Sequence, residues 1–125
     1  MAGLLKELGD GLAAFHEDTA DAKHAGRLTI VTMSEFGRRV QENGSLGTDH
    51  GHGSLMMLMG GHVLGNKVHG QWPGLADGQL VGPGDLAVTT DYRDILGEIV
   101  SRRLNNPNLS GVFPEYAPVF RGVMK

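Results

Sequence analysis

The stretch LTIVTMSEFGRR, residues 28–39, decides the fold class of this chain. Its first half, Leu28 to Met33, is short, β-branched and apolar on both faces, which is the pattern of a strand buried in a parallel sheet. Its second half turns polar at Ser34 and Glu35. In open α/β sheets, functional sites are built at the carboxyl ends of the strands. The stretch therefore predicts a buried parallel strand with a site at its end.

Two amphipathic helices lie on either side of this strand in the sequence. The first is predicted to run to about residue 22, because apolar residues recur at helical spacing: Leu4, Leu5, Leu8, Leu12 and Phe15. The second, capped by Thr89 or Thr90, has the apolar face Tyr92, Ile95, Leu96, Ile99, Val100 and Leu104. One more short strand is predicted at residues 86–88, and an irregular tail follows to Lys125. These elements predict an α/β fold with few strands and two main helices, in a single domain of residues 1–125.

The composition excludes several classes of function. The formal net charge of −3 gives no electrostatic footprint for DNA or anionic membranes, and no apolar run has the length of a membrane span. We therefore expect neither a nucleic-acid nor a membrane partner. The chain has no cysteine, which excludes disulfides, thiolate zinc sites and cysteine nucleophiles. The first residues lack an export signal, which predicts a cytoplasmic protein.

The chemistry is concentrated in GTDHGHG, residues 47–53, and in the polar end of the strand. Asp49, His50 and His52 supply an oxygen donor and imidazole nitrogens, and Glu35 adds a carboxylate, which together suit zinc, manganese or a similar divalent ion. The flanking glycines let adjacent side chains converge on one centre. Arg38 or its neighbour Arg39 can pair bidentately with a phosphate or sulfate. The alternative interpretation is a solvated loop with a surface ion pair between Glu35 and Arg38.

Other conspicuous residues favour structural roles. His62 and His69 lie in short extended segments and are interpreted as structural. The cluster Met56, Met57 and Met59 is typical of core filling. Trp72 is expected to pack under the glycine-rich loops, whereas an exposed Trp72 indicates an interface.

Ordered motifs along the chain resemble a known family. TMSEFGR at 32–38, GTDHGHG at 47–53, GGHV at 60–63 and TDYR at 90–93 together resemble the C-terminal part of the domain-of-unknown-function 1501 family, a sulfatase-like branch of the alkaline phosphatase superfamily. The resemblance runs from about Leu4 to Tyr116. It implies that residues 1–125 are equivalent to the C-terminal portion of a larger alkaline-phosphatase-like domain with a doubly wound sheet.

The resemblance also implies a site for two divalent metal ions (zinc, manganese or calcium) that acts on phosphate or sulfate esters. Two registers stay open. In one, Asp49-His50 is the superfamily's Asp-His pair, with His52 beside it. In the other, which we prefer, Glu35 replaces the Asp, Phe36 replaces the His, and His50 is the later loop ligand. The predicted metal ligands are Glu35, Asp49, His50 and His52, and Arg38 is the predicted anion contact.

The function implied is that of the metal-binding portion of a sulfatase/phosphatase-like hydrolase. The family's nucleophilic Ser or Thr has no counterpart in this chain, because Thr29, Thr32 and Ser34 lie in or beside the strand. We therefore expect a fragment, a truncated product or a small relative, inactive without an N-terminal half. Family members are usually exported, so the compartment stays open. The alternative is a noncatalytic module that binds itself or a partner, because a sheet edge left exposed favours a homo-oligomer.

Overall fold

The computed structural model describes residues 2–21, 23, 24 and 26–125. The elements in chain order are α1 (Ala2–Asp18), β1 (Thr29–Val31), β2 (Gly37–Glu42), β3 (Thr48–Gly51), β4 (Leu58–Gly60), a 3-10 turn (Asp77–Gln79), α2 (Tyr92–Arg102) and α3 (Leu109–Val112). Few short strands combined with two main helices confirm the α/β class predicted from the sequence.

The strand pairing differs from the parallel sheet expected at residues 28–33. β1 pairs antiparallel with β4, with Thr29 opposite Gly60 and Val31 opposite Leu58. After β1 the chain continues through the polar, glycine-rich residues 34–53 and then runs back alongside β1 as β4. A continuous apolar run reports burial on both faces, and it does not encode the direction of the partner strand.

Part of this polar stretch forms a β-hairpin, which was not predicted from the sequence. β2 and β3 pair antiparallel, with Gly37 opposite Gly51 and Arg38 opposite His50. The turn is closed by the side-chain oxygen of Asn43, which accepts hydrogen bonds from the backbone of Ser45 at 3.0 Å and Gly47 at 3.2 Å. Such turns are a common use of asparagine. The β2–β3 hairpin is therefore an ordered platform for the polar motifs.

The segment predicted as a strand at residues 86–88 forms no strand, but it does hold the hairpin in place. Leu86 donates its N–H to the carbonyl of Arg38 at 3.3 Å, and its own carbonyl accepts from Gly53 at 2.8 Å. Gly53 is buried, and a Cβ there would lie 2.6 Å from the Leu86 oxygen, so only glycine permits this approach. The glycine thus brings the end of the hairpin against the chain leading to α2.

α2 begins at an aspartate and not at the predicted threonines. The Asp91 side chain accepts from the backbone N–H of Arg93 at 2.8 Å, which satisfies one of the free donors of the first turn. The helix contributes Ile95 and Ile99 to the core, where both are buried with residues of the C-terminal tail, Val123 and Met124. Of the predicted apolar face, the structure buries Ile95 and Ile99, whereas Tyr92 is 52% and Leu104 66% exposed.

Two buried carboxylates of α2 hold the C-terminal tail. Glu98 accepts backbone hydrogen bonds from Arg121 and Gly122 at 2.8 Å and from Met124 at 3.0 Å. Burial by itself raises the pKa of Glu98, but these hydrogen bonds outweigh it and the pKa lies below its ordinary value. The tail backbone therefore folds around a charged carboxylate, which we call the Glu98 clamp.

Asp94, one turn earlier, reinforces the same contact. It accepts from the Tyr116 hydroxyl at 2.6 Å and from the Val119 backbone at 2.8 Å, and it pairs with the Arg121 guanidinium. Burial raises its pKa, and the hydrogen bonds lower it below the ordinary value. The hydrogen bond that the Tyr116 hydroxyl donates to Asp94 raises the pKa of Tyr116 to about 12. The tail is therefore fixed to α2 by charge as well as by apolar packing.

α1 ends earlier than its predicted limit near residue 22. Its last residue is Asp18, and the Thr19 hydroxyl turns back to donate to the carbonyl of Phe15 at 2.7 Å. Ala22 and Ala25, which the prediction placed at the end of this helix, lie outside the described residues. None of the helices in the described part of the chain is long and apolar enough to cross a membrane.

Candidate functional site

One side of the β2–β3 hairpin brings an aromatic ring, an imidazole and a guanidinium together. The His50 ring stacks on the Phe36 ring, with their centroids 3.6 Å apart and their planes 23° apart. Arg38 is the cross-strand partner of His50, and its guanidinium carbon lies 5.3 Å from the Phe36 ring centroid. One guanidinium nitrogen donates to the Thr48 carbonyl at 2.7 Å. We call this surface, made of Phe36, Arg38 and His50, the aromatic face of the hairpin.

The other side of the hairpin holds a network of opposite charges. The Arg39 guanidinium lies 3.8 Å from the Asp49 carboxylate and 3.4 Å from the Asp85 carboxylate. Asp49 also accepts from the Asn43 amide at 2.9 Å. Arg39 therefore supplies a positive charge that offsets the charges of both carboxylates.

His52, just beyond β3, is held by a carboxylate from a distant segment. Its Nδ1 lies 2.6 Å from Asp85 Oδ2. The Asp85 side chain is 7% exposed and the His52 side chain 66% exposed, so a buried carboxylate holds a solvent-facing ring. The other carboxylate oxygen, Oδ1, is buried and has no hydrogen-bond partner, although Arg39 is close by.

The four predicted metal ligands are divided by these contacts. Asp49 and His50 are neighbours on β3, and neighbouring strand residues point to opposite sides of a sheet. His50 lies on the aromatic face, whereas Asp49 lies with Arg39 and His52 lies with Asp85. Glu35 is exposed and, among the described residues, makes no hydrogen bond or ion pair. The structure therefore does not bring Glu35, Asp49, His50 and His52 into one cluster.

This geometry does not provide a complete site for the divalent ion that the resemblance implies. In the described parts of the chain, no group of three or more His, Asp or Glu side chains is placed to hold a metal ion. Asp49 is engaged by the Arg39 guanidinium and the Asn43 amide. The residues as placed do not fit a complete metal site, and metal binding at Glu35, Asp49, His50 and His52 stays a prediction.

A comparison of the sequence with known families identifies the lineage. The sequence model of a family described as "Protein of unknown function (DUF1501)" matches residues 1–102. The chain belongs to the DUF1501 family. Neither a curated protein nor a solved structure matches it. The match confirms the family inferred from the ordered motifs, and the description leaves the activity open.

Three of the residues given structural roles from the sequence keep them in this DUF1501 chain. His62 lies 2.9 Å from the Gly26 carbonyl and His69 lies 3.3 Å from the Leu64 carbonyl. Met56 packs against the core.

Two other side chains do not keep the packing predicted for them. Met57 is 37% exposed, which is more than core filling requires. Trp72 is 70% exposed and does not pack under the glycine-rich loops as predicted. The alternative interpretation of Trp72 as an interface residue stays a prediction.

Asp85 is a residue of this region that sequence reasoning missed. It follows Gly82-Pro83-Gly84, where both glycines have positive φ, and the turn directs its buried carboxylate toward residue 52. A turn was predicted here, but no local pattern connects Asp85 with a histidine that precedes it by 33 positions. Only the contact of Leu86 with Arg38 and Gly53 makes the pair evident.

Proposed function

We propose that this chain is the anion-binding portion of a sulfatase/phosphatase-like hydrolase, and that the aromatic face of the hairpin receives the phosphate or sulfate group of the ester. The observation that carries the proposal is the 3.6 Å stack between Phe36 and His50. The stack places the residue after the strand-end carboxylate Glu35 beside the loop histidine. That proximity supports the register in which Glu35-Phe36 replaces the superfamily's Asp-His pair and His50 is the later loop residue.

Arg38 has the geometry needed to contact the anion. Its guanidinium is held by the Thr48 carbonyl at one nitrogen and lies beside the Phe36 ring, so little side-chain freedom remains to be lost on binding. The remaining N–H groups form a planar fork that matches two oxygens of a phosphate or sulfate. His50, beside it, adds a ring nitrogen that donates to an anion when protonated.

The hydrolytic step belongs to the larger protein implied by the resemblance. In the family's longer members the resemblance assigns the nucleophilic Ser or Thr to the N-terminal part, and the donors Glu35, Asp49, His50 and His52 do not converge on one ion. When bound, a zinc, manganese or calcium ion would polarise the ester oxygen. We propose that residues 1–125 are the C-terminal portion of such a domain and bind the ester without turnover.

The proposal predicts that Arg38→Ala weakens the binding of phenyl phosphate at least tenfold, which corresponds to about 1.4 kcal/mol. Isothermal titration calorimetry of the whole chain measures this loss. Arg38→Lys keeps the charge but not the planar fork, so we expect it to recover only part of the affinity. Arg27→Ala removes an exposed arginine that is not part of the hairpin and serves as the control. Equal affinity of the Arg38→Ala and Arg27→Ala variants would contradict the proposal.

A second candidate function, self-association, is favoured by the surface of α1. This helix has no buried residue, and its apolar side chains Leu4, Leu5 and Phe15 are 72%, 59% and 46% exposed. An amphipathic helix that buries nothing within its own chain is typical of an element covered in an assembly. We propose that a second copy of the chain covers it, which also agrees with the homo-oligomer expected from the sequence.

Leu8→Glu is expected to dissociate such an assembly, because it places a charge in the middle of the apolar stripe. The matched control is Ala13→Glu, which adds the same side chain to the polar side of the same helix. Sedimentation equilibrium over a range of concentrations measures the mass of each form. A wild-type protein that is monomeric throughout that range would remove self-association from consideration and leave the anion-binding proposal intact.

A further inference from the structure

The hydrogen bond between His52 and Asp85 fixes the orientation of the His52 imidazole ring. The Nδ1–Oδ2 distance of 2.6 Å is short for a hydrogen bond between nitrogen and oxygen, as expected when the acceptor is ionised. A carboxylate accepts only, so the shared proton is on Nδ1. The ring is therefore held with Nδ1 toward the protein and Nε2 away from it.

Asp85 is itself fixed from several sides. Its backbone N–H donates to the Val81 carbonyl at 2.9 Å, and its carbonyl accepts from Val81 at 3.0 Å. Its second carboxylate oxygen faces the Arg39 guanidinium at 3.4 Å. A side chain that is 7% exposed and held by a turn has little freedom to rotate. The orientation of the exposed His52 ring is thus set by a buried and rigid group.

We infer that Asp85 is a positioning residue that keeps His52 in the Nδ1–H tautomer and presents Nε2 as a hydrogen-bond acceptor beside the ester-binding hairpin. When the ring is neutral, Nε2 accepts a hydrogen bond, so the partner that this atom suits is a hydroxyl group or a water molecule. Carboxylates that hold imidazoles in one tautomer have this role in hydrolytic sites and around metal-binding histidines. The part played by Nε2 rests on the proposed function, whereas the tautomer does not.

Nitrogen-15 spectroscopy of the imidazole rings in the whole chain, at alkaline pH and without any ligand, tests the tautomer directly. His16 is the internal reference, since its ring is exposed on α1 and makes no described contact. We expect the ratio of Nδ1–H to Nε2–H forms to be at least tenfold higher for His52 than for His16. A His52 ring with the same ratio as His16 would overturn the inference, whatever the outcome of ester binding.

The variant Asp85→Asn extends the test. An amide can turn its NH₂ group toward the ring, so we expect His52 to shift toward the Nε2–H form while the other histidines keep their signals. Asp77→Asn, in the exposed 3-10 turn, is the matched control. A phenyl phosphate titration, followed through the nitrogen-15 signal of His52 Nε2, then separates the two proposals. If the tautomer is fixed but no signal of the chain shifts with the ester, the positioning role of Asp85 is retained and the proposed function is contradicted.

Discussion

Glu98→Ala is expected to lower the free energy of unfolding by about 3–5 kcal/mol, which is the range found when one member of a buried ion pair is removed. The Glu98 side chain has no solvent exposure, and its loss leaves three backbone N–H groups of the tail without their acceptor. Each buried donor left unpaired costs about 1–3 kcal/mol. Against a total stability of about 5–15 kcal/mol for a typical domain, this is a large fraction.

Urea unfolding measures the effect as a change in midpoint at constant slope. Glu17→Ala, which removes an exposed carboxylate from α1, is the control and should change the midpoint little. A Glu98→Ala midpoint equal to that of Glu17→Ala would mean that the tail is not clamped to α2 in solution.

The same cluster gives stability a dependence on pH whose sign follows from the pKa directions. The pKa values of Asp94 and Glu98 are both below their ordinary values in the folded chain. Their contribution is therefore complete above the unfolded pKa of about 4 and is lost as the pH falls through the lower folded values. As the pH is lowered, the free energy of unfolding should fall less steeply in Glu98→Ala than in the Glu17→Ala control.

Gly37→Ala is expected to have the largest effect on the site. A Cβ at Gly37 would lie 2.1 Å from the Gly53 oxygen and 2.3 Å from the His52 carbonyl carbon, both backbone atoms that cannot rotate away. The hairpin must therefore separate from the segment that follows it, at a cost of about 1–3 kcal/mol for a forced fit. Phe36 and Arg38 flank this position, so the aromatic face should lose its geometry.

Gly44→Ala is a control within the same hairpin, because a Cβ at Gly44 meets no atom within 4 Å. Ring-current shifts of the His50 protons report the stack on Phe36, and calorimetry reports phenyl phosphate binding. We expect Gly37→Ala to lose both signals and Gly44→Ala to keep both. Retention of the stack and of binding in Gly37→Ala would show that the close approach at Gly37 is not required by the site.

The parts of the fold that sequence reasoning found are those with local periodicity. The apolar face of α2 was evident from its spacing, and the structure buries Ile95 and Ile99 from it. The strand at β1 was evident from its β-branched run, but its antiparallel partner was not, since pairing direction depends on where the chain returns. The hairpin was missed because its residues are polar and glycine-rich, and its order comes from backbone contacts that composition hides.

The site shows the same division between local and distant information. The motifs around Phe36 and His50 were recognisable as patterns, and the hairpin brings these two rings together. Asp49 and His50 point to opposite sides of the hairpin because side chains alternate along a strand. The sequence prediction placed them in a glycine-rich loop, where no such alternation is expected. Asp85 reaches His52 across 33 positions, and the tail that carries Arg121 lies beyond the residues 1–102 that match the DUF1501 family. Contacts between such distant parts of the chain are not encoded in any local sequence pattern.

Anomalous scattering from tungstate, a heavy analogue of phosphate and sulfate, tests most directly whether the aromatic face of the hairpin receives the ester anion. In crystals of the whole chain grown with tungstate, the account predicts a peak in contact with the Arg38 guanidinium and the His50 ring. Tungstate bound only at other arginines, such as Arg93 or Arg121, or no tungstate at all, would contradict it.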